Sequence, residues 1–278
     1  MKYLVTGSKG FIGRNLINYL SNKNIISFDD EIFNVNFWDK NLINYLDINN
    51  PDVIFHIGAC SDTLESDVNF MMIRNYEATK ILTDWAKKNN KILIYSSSAA
   101  NYGENNNYPS NLYGWSKYVS EDYVISNGFI GLRYFNVYGP YEQHKNKMSS
   151  IINQVYFFNK KNPNKHFKLF LGNPKRDFVY VDDIISANIF AFENFINLKG
   201  KYYEVGFGES RMFEDILKIL NIKFEYDLEK NIPKGYQFYT CSSKNKWMPN
   251  WKPKYNLENG IKKYLLYLEY DSKNRSSC

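Results

Sequence analysis

Thr6-Gly7-Ser8-Lys9-Gly10-Phe11-Ile12-Gly13 is the stretch on which the fold turns. It lies between an apolar run at residues 3–6 and a helical pattern at 11–20, where a strand gives way to a helix. Gly7 permits the tight turn, Gly10 lets backbone approach a phosphate, and Gly13 allows close helix packing. The free N–H groups of a helix that opens on Phe11 and Ile12 then face the anion. Ordinary turn glycines are the competing reading, and the flanking strand and helix speak against it. Asp29 follows Gly7 by 22 residues at the end of the next apolar run, where a carboxylate would hold ribose hydroxyls. With Asp30 and Glu31 it forms three consecutive carboxylates, which would repel a ribose phosphate. NAD is therefore the expected cofactor, with NADP as the alternative.

Working outward, further apolar runs at 25–28, 53–57, 92–96 and 130–135 alternate with amphipathic stretches at 68–88 and 114–126. Strands spaced by helices predict βαβ units and right-handed crossovers. The expected class is α/β: a Rossmann-type doubly wound parallel sheet with a smaller C-terminal substrate-binding lobe. The dinucleotide-binding domain is expected over 1–145, and 146–270 mainly as the substrate lobe. Residues 175–195 are expected to pack back on the main sheet, and the polar stretch 271–278 to form a flexible tail.

The 278 residues are enough to bury a sizeable core, and 23% charged with 44% hydrophobic is a globular balance. The excess lies in aromatics, 18% of the chain, alongside a net charge of +6. Rings interleaved with lysine would suit a nucleic-acid binder, but no Lys/Arg block is long enough to give a phosphate-neutralising footprint. Genome composition is the simpler source of the bias. Met1 leads straight into a strand-like run with no secretory apolar region, and no run approaches the roughly 20 apolar residues of a membrane span. A cytoplasmic protein is expected, with no nucleic acid and no membrane among its partners. Cys60, Cys241 and Cys278 lack C-x-x-C spacing, and His56, His144 and His166 lack ligand spacing, so no metal is expected.

Tyr113-Gly114-Trp115-Ser116-Lys117 opens the 114–126 helix and puts a phenol and an ammonium on one face. A phenol with an ordinary pKa near 10 is a poor base, and a neighbouring cation favours its phenolate. Ser96-Ser97-Ser98 ends the fourth strand and could offer Ser98 as a donor to a substrate oxygen. With the Thr-Gly-x-x-Gly-x-x-Gly turn, these residues resemble the extended short-chain dehydrogenase/reductase family over nearly the whole chain. By that resemblance Ser98, Tyr113 and Lys117 form the catalytic triad, with Lys117 also touching the cofactor. Asn75 is the helix Asn near the active site. Asn136, in Arg133-Tyr134-Phe135-Asn136-Val137-Tyr138-Gly139-Pro140, lies where substrate diphosphate and nicotinamide meet. Members of this branch mostly act on nucleotide-diphosphate sugars, oxidising a carbon transiently and returning the hydride.

Ser98-Ala99-Ala100 lacks the acid pair of the sugar dehydratases, the Glu of the decarboxylases and the Cys of the GDP-fucose-type enzymes. Gly139-Pro140-Tyr141-Glu142-Gln143-His144-Lys145 resembles the ADP-heptose 6-epimerase branch instead. So do His56-Ile57-Gly58-Ala59-Cys60-Ser61, Lys175-Arg176-Asp177-Phe178, and Tyr236-Gln237-Phe238-Tyr239-Thr240. The resemblance makes Lys145 a second acid/base facing Tyr113, with His144 as an orienting group or alternative proton carrier. Lys175 and Arg176 suit a diphosphate, since an Arg fork matches phosphate oxygens in two places, and Tyr236 joins the substrate-binding set. The implied function is a nucleotide-sugar epimerase that passes through a ketone with bound NAD(P). The alternative is a 4-epimerase or 4-dehydrogenase of the same family. A homo-oligomer is the expected assembly. At 278 residues the chain is short for the family, and the shortening is expected in the substrate lobe.

Overall fold

In the computed structural model all residues are described except 35, 105–106, 173, 229–235 and 276–278. The first half runs β1 (Lys2–Thr6), α1 (Phe11–Tyr19), β2 (Asn24–Phe28), α2 (Trp38–Asn49), β3 (Val53–His56), α3 (Val68–Met72), α4 (Ala78–Lys88), β4 (Ile92–Ser98), α5 (Leu112–Ser126) and β5 (Ile130–Tyr134). The second half runs β6 (Asn136–Tyr138), α6 (Ile151–Lys161), β7 (Phe167–Phe170), β8 (Lys175–Tyr180), α7 (Val181–Glu193), α8 (Phe195–Leu198), β9 (Lys201–Val205), β10 (Ser210–Met212), α9 (Phe213–Ile219), β11 (Phe224–Asp227) and α10 (Leu257–Arg275). The last helix thus continues into the stretch expected to be a tail, and 276–278 lie outside the described residues.

A six-stranded parallel sheet in the order β2-β1-β3-β4-β5-β9 forms the main body, as the doubly wound reading expects. Its central strands are apolar on both faces: Val53, Ile54 and Phe55 of β3 and Leu93 and Ile94 of β4 are fully buried, the signature of a sheet covered by helices on both sides. One face packs on Leu16 of α1 and Ile184, Ala187 and Ala191 of α7. The other packs on Leu42 and Leu46 of α2, Leu82 and Trp85 of α4, and Val124 of α5. Each such Leu, Ile or Val side chain contributes about 2 kcal/mol by leaving water.

One feature follows the expected strand list and one departs from it. The sheet has one strand fewer beyond β2 than the 3-2-1-4-5-6 doubly wound order, because residues 30–49 supply only a short 3₁₀ turn (Asp30–Asn34) and α2. This places a shortening on the dinucleotide side. The sixth strand, β9, arrives from residue 201 onward and pairs with β5; its Lys-Tyr-Tyr-Glu-Val pattern is too short and too polar to announce a buried strand. A three-stranded sheet (β10-β8-β6) and a two-stranded one (β11-β7) build the smaller layer. The first shares with α6, α9 and α10 a core of Tyr138, Tyr180, Tyr264, Ile152, Ile216 and Ile261, and the second packs through Leu169 on Val155 of α6 and Leu217 of α9.

The aromatic excess goes largely into these cores. Tyr95, Tyr138, Tyr180 and Tyr264 rank among the largest fully buried side chains, and Tyr138 meets Tyr180 and Tyr264 at ring separations of 5.5 and 6.4 Å. Among the described residues no helix is long and apolar enough to cross a membrane.

Candidate active site

The winding reverses between β1 and β3, and a crevice opens at the carboxyl ends of these strands. The chains meet there so closely that a Cβ on Gly7 would stand 2.6 Å from the Gly58 Cα, while Gly7 itself takes φ +64°. A Cβ on Gly13 would collide with the Gly7 carbonyl. The Gly10 N–H donates to the Gly7 oxygen (3.0 Å), and no side chain caps α1, leaving its first N–H groups for an anion. Asp29 braces the turn from β2, accepting from the Lys9 N–H (2.5 Å) and the Ser8 hydroxyl (3.2 Å). Lys9 pairs with Glu31 across the exposed rim. Gly7, Gly10, Phe11, Ile12, Gly13, Asp29 and Asp30 all line one cavity of about 1020 Å³. A cradle that any added Cβ would fill, with an acid at its ribose end, fits a dinucleotide.

Beneath it lies a buried hydrogen-bond relay. His56 sits between Thr6 Oγ1 (Nδ1, 2.8 Å) and Thr79 Oγ1 (Nε2, 2.7 Å). Thr6 also accepts from the Gly58 N–H, and Thr79 donates to the Asn75 carbonyl. These directions place the ring proton on Nε2. Burial, aided by the Lys117 charge, pushes the His56 pKa down to about 3, so the imidazole is neutral. Asn75 stands in a π-helical turn (Ile73–Glu77). It accepts from the Cys60 N–H (2.7 Å) and donates to the Cys60 carbonyl (3.0 Å) and Ser116 Oγ (2.8 Å). It lies outside the cavity wall and holds together the Cys60 loop and the start of α5.

Ser98, Tyr113 and Lys117 do share the cavity wall. Ser98 ends β4, and its hydroxyl accepts from the Ala100 N–H (3.1 Å) while bonding the Tyr113 phenol. Asn111 caps α5 by accepting from the Gly114 N–H (2.8 Å), which sets the first turn carrying Tyr113. Burial pushes the Tyr113 phenol up and the Ser98 donor pulls it part of the way back. The expected lowering by Lys117 is not what governs it. The Lys117 ammonium, 4.3 Å from the centre of the Tyr95 ring, is itself held by burial down to about 7. Its acidic neighbour Glu121 is bound to Arg133 (2.6, 2.8 and 3.1 Å), which blunts the support. A lysine whose folded pKa lies below its ordinary 10.5 releases its proton in the fold before the unfolded chain does. Stability of the cofactor-free protein should therefore rise as pH climbs from about 7 toward 10. Lys117→Met should be more stable at neutral pH, with the gap closing as pH rises, in urea melts across that range.

On the other side of the cavity stand Asn136, His144, Lys145, Arg176 and Tyr236. Asn136 accepts from Thr240 Oγ1 (3.2 Å). Arg176 is buried, its guanidinium 5.0 Å from the Tyr236 ring, with burial lowering its pKa. Burial also lowers Lys145, and the charge of Glu142 opposes this. Lys175 stays off the wall, its backbone tied to the carbonyl of Phe238 and the N–H of Thr240. The sequence reading missed Lys147, Lys168, Gln154, Phe170 and Phe213, which line the same half. The Phe167-Lys168-Leu169-Phe170 alternation next to Arg176 was the available signal.

A sequence model of the NAD dependent epimerase/dehydratase family matches residues 3–206. The ADP-L-glycero-D-manno-heptose-6-epimerase of Brachyspira hyodysenteriae is 35% identical over 96% of this chain and 97% of its own. The solved Helicobacter pylori enzyme of the same name superposes with a TM-score of 0.82 at 29% identity, covering 96% of each chain. The Thermotoga maritima UDP-glucose 4-epimerase, solved with UDP-glucose, has a TM-score of 0.81 at 24% identity over 98% of this chain and 99% of that one, a likeness of fold. With the glycine cradle, the switch-point crevice and the Ser98, Tyr113 and Lys117 cluster all in one cavity, the chain belongs to the NAD dependent epimerase/dehydratase family.

Proposed function

We propose that the chain is a cytoplasmic, homo-oligomeric ADP-heptose 6-epimerase that uses NAD. Residues 1–145 form its cofactor lobe, with 175–195 packed back on it, and 146–270 mainly its sugar-nucleotide lobe. The observation that carries the reading is that two side chains able to move protons, Tyr113 from α5 and Lys145 from the loop after β6, enter one cavity from separate elements. Inverting a carbon through a ketone needs an acid/base on each face of that carbon. NAD, when bound, supplies the hydride acceptor and returns the hydride.

Gly7, Gly10, Gly13 and Asp29 hold the dinucleotide and Lys117 orients its nicotinamide ribose. Tyr113 takes the hydroxyl proton on one face, with the Ser98 donor on the same oxygen. Lys145 gives or takes the proton on the other. Arg176 and Tyr236 meet the diphosphate, and Asn136 and His144 orient the sugar. Asn75 acts at one remove by fixing the Cys60 loop and α5. The test is incubation of cofactor-loaded protein with ADP-heptose while carbon six is followed by NMR. Inversion at that carbon is expected. No isomerisation there, with turnover of UDP-glucose instead, would replace this reading by a 4-epimerase.

A further inference from the structure

The sequence Gly139-Pro140-Tyr141-Glu142 puts a carboxylate into a loop whose neighbours His144, Asn146 and Lys147 are exposed. Glu142 is nonetheless only 1% exposed. A carboxylate leaves water at this cost only where donors replace the lost hydration. Four do: the Gly139 N–H (3.2 Å), the Ser150 N–H (2.5 Å), the Ser150 hydroxyl (2.7 Å) and the Tyr264 phenol. An amide could not serve, because its NH₂ would face one of these donors.

The Ser150 and Tyr264 donors are themselves wired together. Asn153 of α6 donates through its side chain to the Tyr264 oxygen (2.8 Å) and through its backbone to Ser150 Oγ (3.2 Å). The circuit closes from Asn153 through Ser150 and Tyr264 onto Glu142, so that α6 and α10 share one carboxylate. Gly139 and Ser150 are the two ends of the loop that carries Lys145. The Lys145 N–H in turn donates to the Glu142 carbonyl (3.0 Å). Outside this knot the 3₁₀ turn Gln143–Met148 is broken at Asn146 (φ 49°), and Gln154 bonds its final carbonyls, Lys147 (3.1 Å) and Ser149 (2.8 Å).

We propose that Glu142, locked by Tyr264, is the positioning residue for Lys145: it ties both ends of the 139–150 loop and so fixes where the lysine ammonium enters the sugar side of the cavity. The inference rests on Lys145 being the second acid/base. Glu142 borders the cavity but is buried, with its carboxylate taken up by its four donors, so it acts through the lysine. Its effect is on the half of the reaction that needs Lys145, and not on the half that needs Tyr113.

The test uses cofactor-loaded Glu142→Gln, Tyr264→Phe and Lys145→Met, each measured twice with ADP-heptose. Single-turnover absorbance reads formation of reduced nicotinamide, and NMR reads inversion at carbon six. Glu142→Gln should slow inversion by about 30- to 100-fold, the cost of displacing an acid/base by about an ångström, with KM and the oxidation step within about twofold of the parent. Tyr264→Phe, which removes one donor of four, should slow inversion by about 3- to 10-fold with the same selectivity. Inversion unchanged in Tyr264→Phe, or both steps slowed together in folded Glu142→Gln, overturns the assignment. If Glu142→Gln does not fold, Tyr264→Phe decides alone by the same two rates. Lys145→Met inverting at the parental rate would instead remove the two-base reading itself. Loss of inversion in Lys145→Met with none in either other variant removes only the role of Glu142.

Discussion

Tyr113→Phe should lose about 10³-fold or more in turnover while still binding NAD. General acid–base groups contribute about 10²–10⁴-fold, and among the described residues no second free phenol lines the wall at this point. Tyr134 and Tyr236 border the same cavity, but the Tyr134 hydroxyl is engaged by Ser96 and Asn188, and Tyr236 is committed to Arg176. The loss should appear in the oxidation step itself, so that no reduced nicotinamide forms on adding ADP-heptose. Binding of NAD, followed by calorimetry, should stay within a few-fold, because the cradle is built from β1, β2 and α1 and does not include the phenol. Turnover within tenfold of the parent would take Tyr113 out of the reaction.

Lys145→Met should divide the reaction rather than abolish it. The substitution keeps the apolar stem that burial surrounds and removes the ammonium. Oxidation on the Tyr113 face should continue, and inversion at carbon six should fall by about 10²–10³-fold. In deuterated water the parent and the variant should then differ in stereochemical outcome more than in the amount of reduced nicotinamide. The measurement is the ratio of the two carbon-six epimers with time, by NMR. Equal loss in both steps would mean that the lysine serves binding and not the second face.

Most of the cofactor side was legible from the chain because its determinants are local. Gly7, Gly10 and Gly13 act within one strand-turn-helix unit, and backbone sterics force their spacing. That Ser98, Tyr113 and Lys117 come to one cavity was legible for the same reason, since Tyr113 and Lys117 are one helical turn apart and Ser98 marks a strand end. The features that escaped depend on residues far apart in sequence. β9 pairs with β5 across some 70 residues, and nothing local to its alternating Lys-Tyr-Tyr-Glu-Val says which sheet it will join. Lys175 and Arg176 are adjacent and read alike, yet strand alternation sends only Arg176 to the cavity. The Tyr113 pKa was misjudged because burial, a property of the packed site, outweighs the neighbouring charge that the i, i+4 spacing suggests.

The knot at Glu142 also has a bearing on how the protein is made. Its last member, Tyr264, lies on α10 (Leu257–Arg275), which is synthesised well after the glycine cradle at Gly7–Gly13. Domains settle largely in the order of synthesis. The cradle can thus form and capture a dinucleotide early, while the Lys145 loop gains its fastening only when the C-terminal helix docks. On the proposed role of Lys145, a chain whose α10 has not yet docked lacks the fastening that the second face needs.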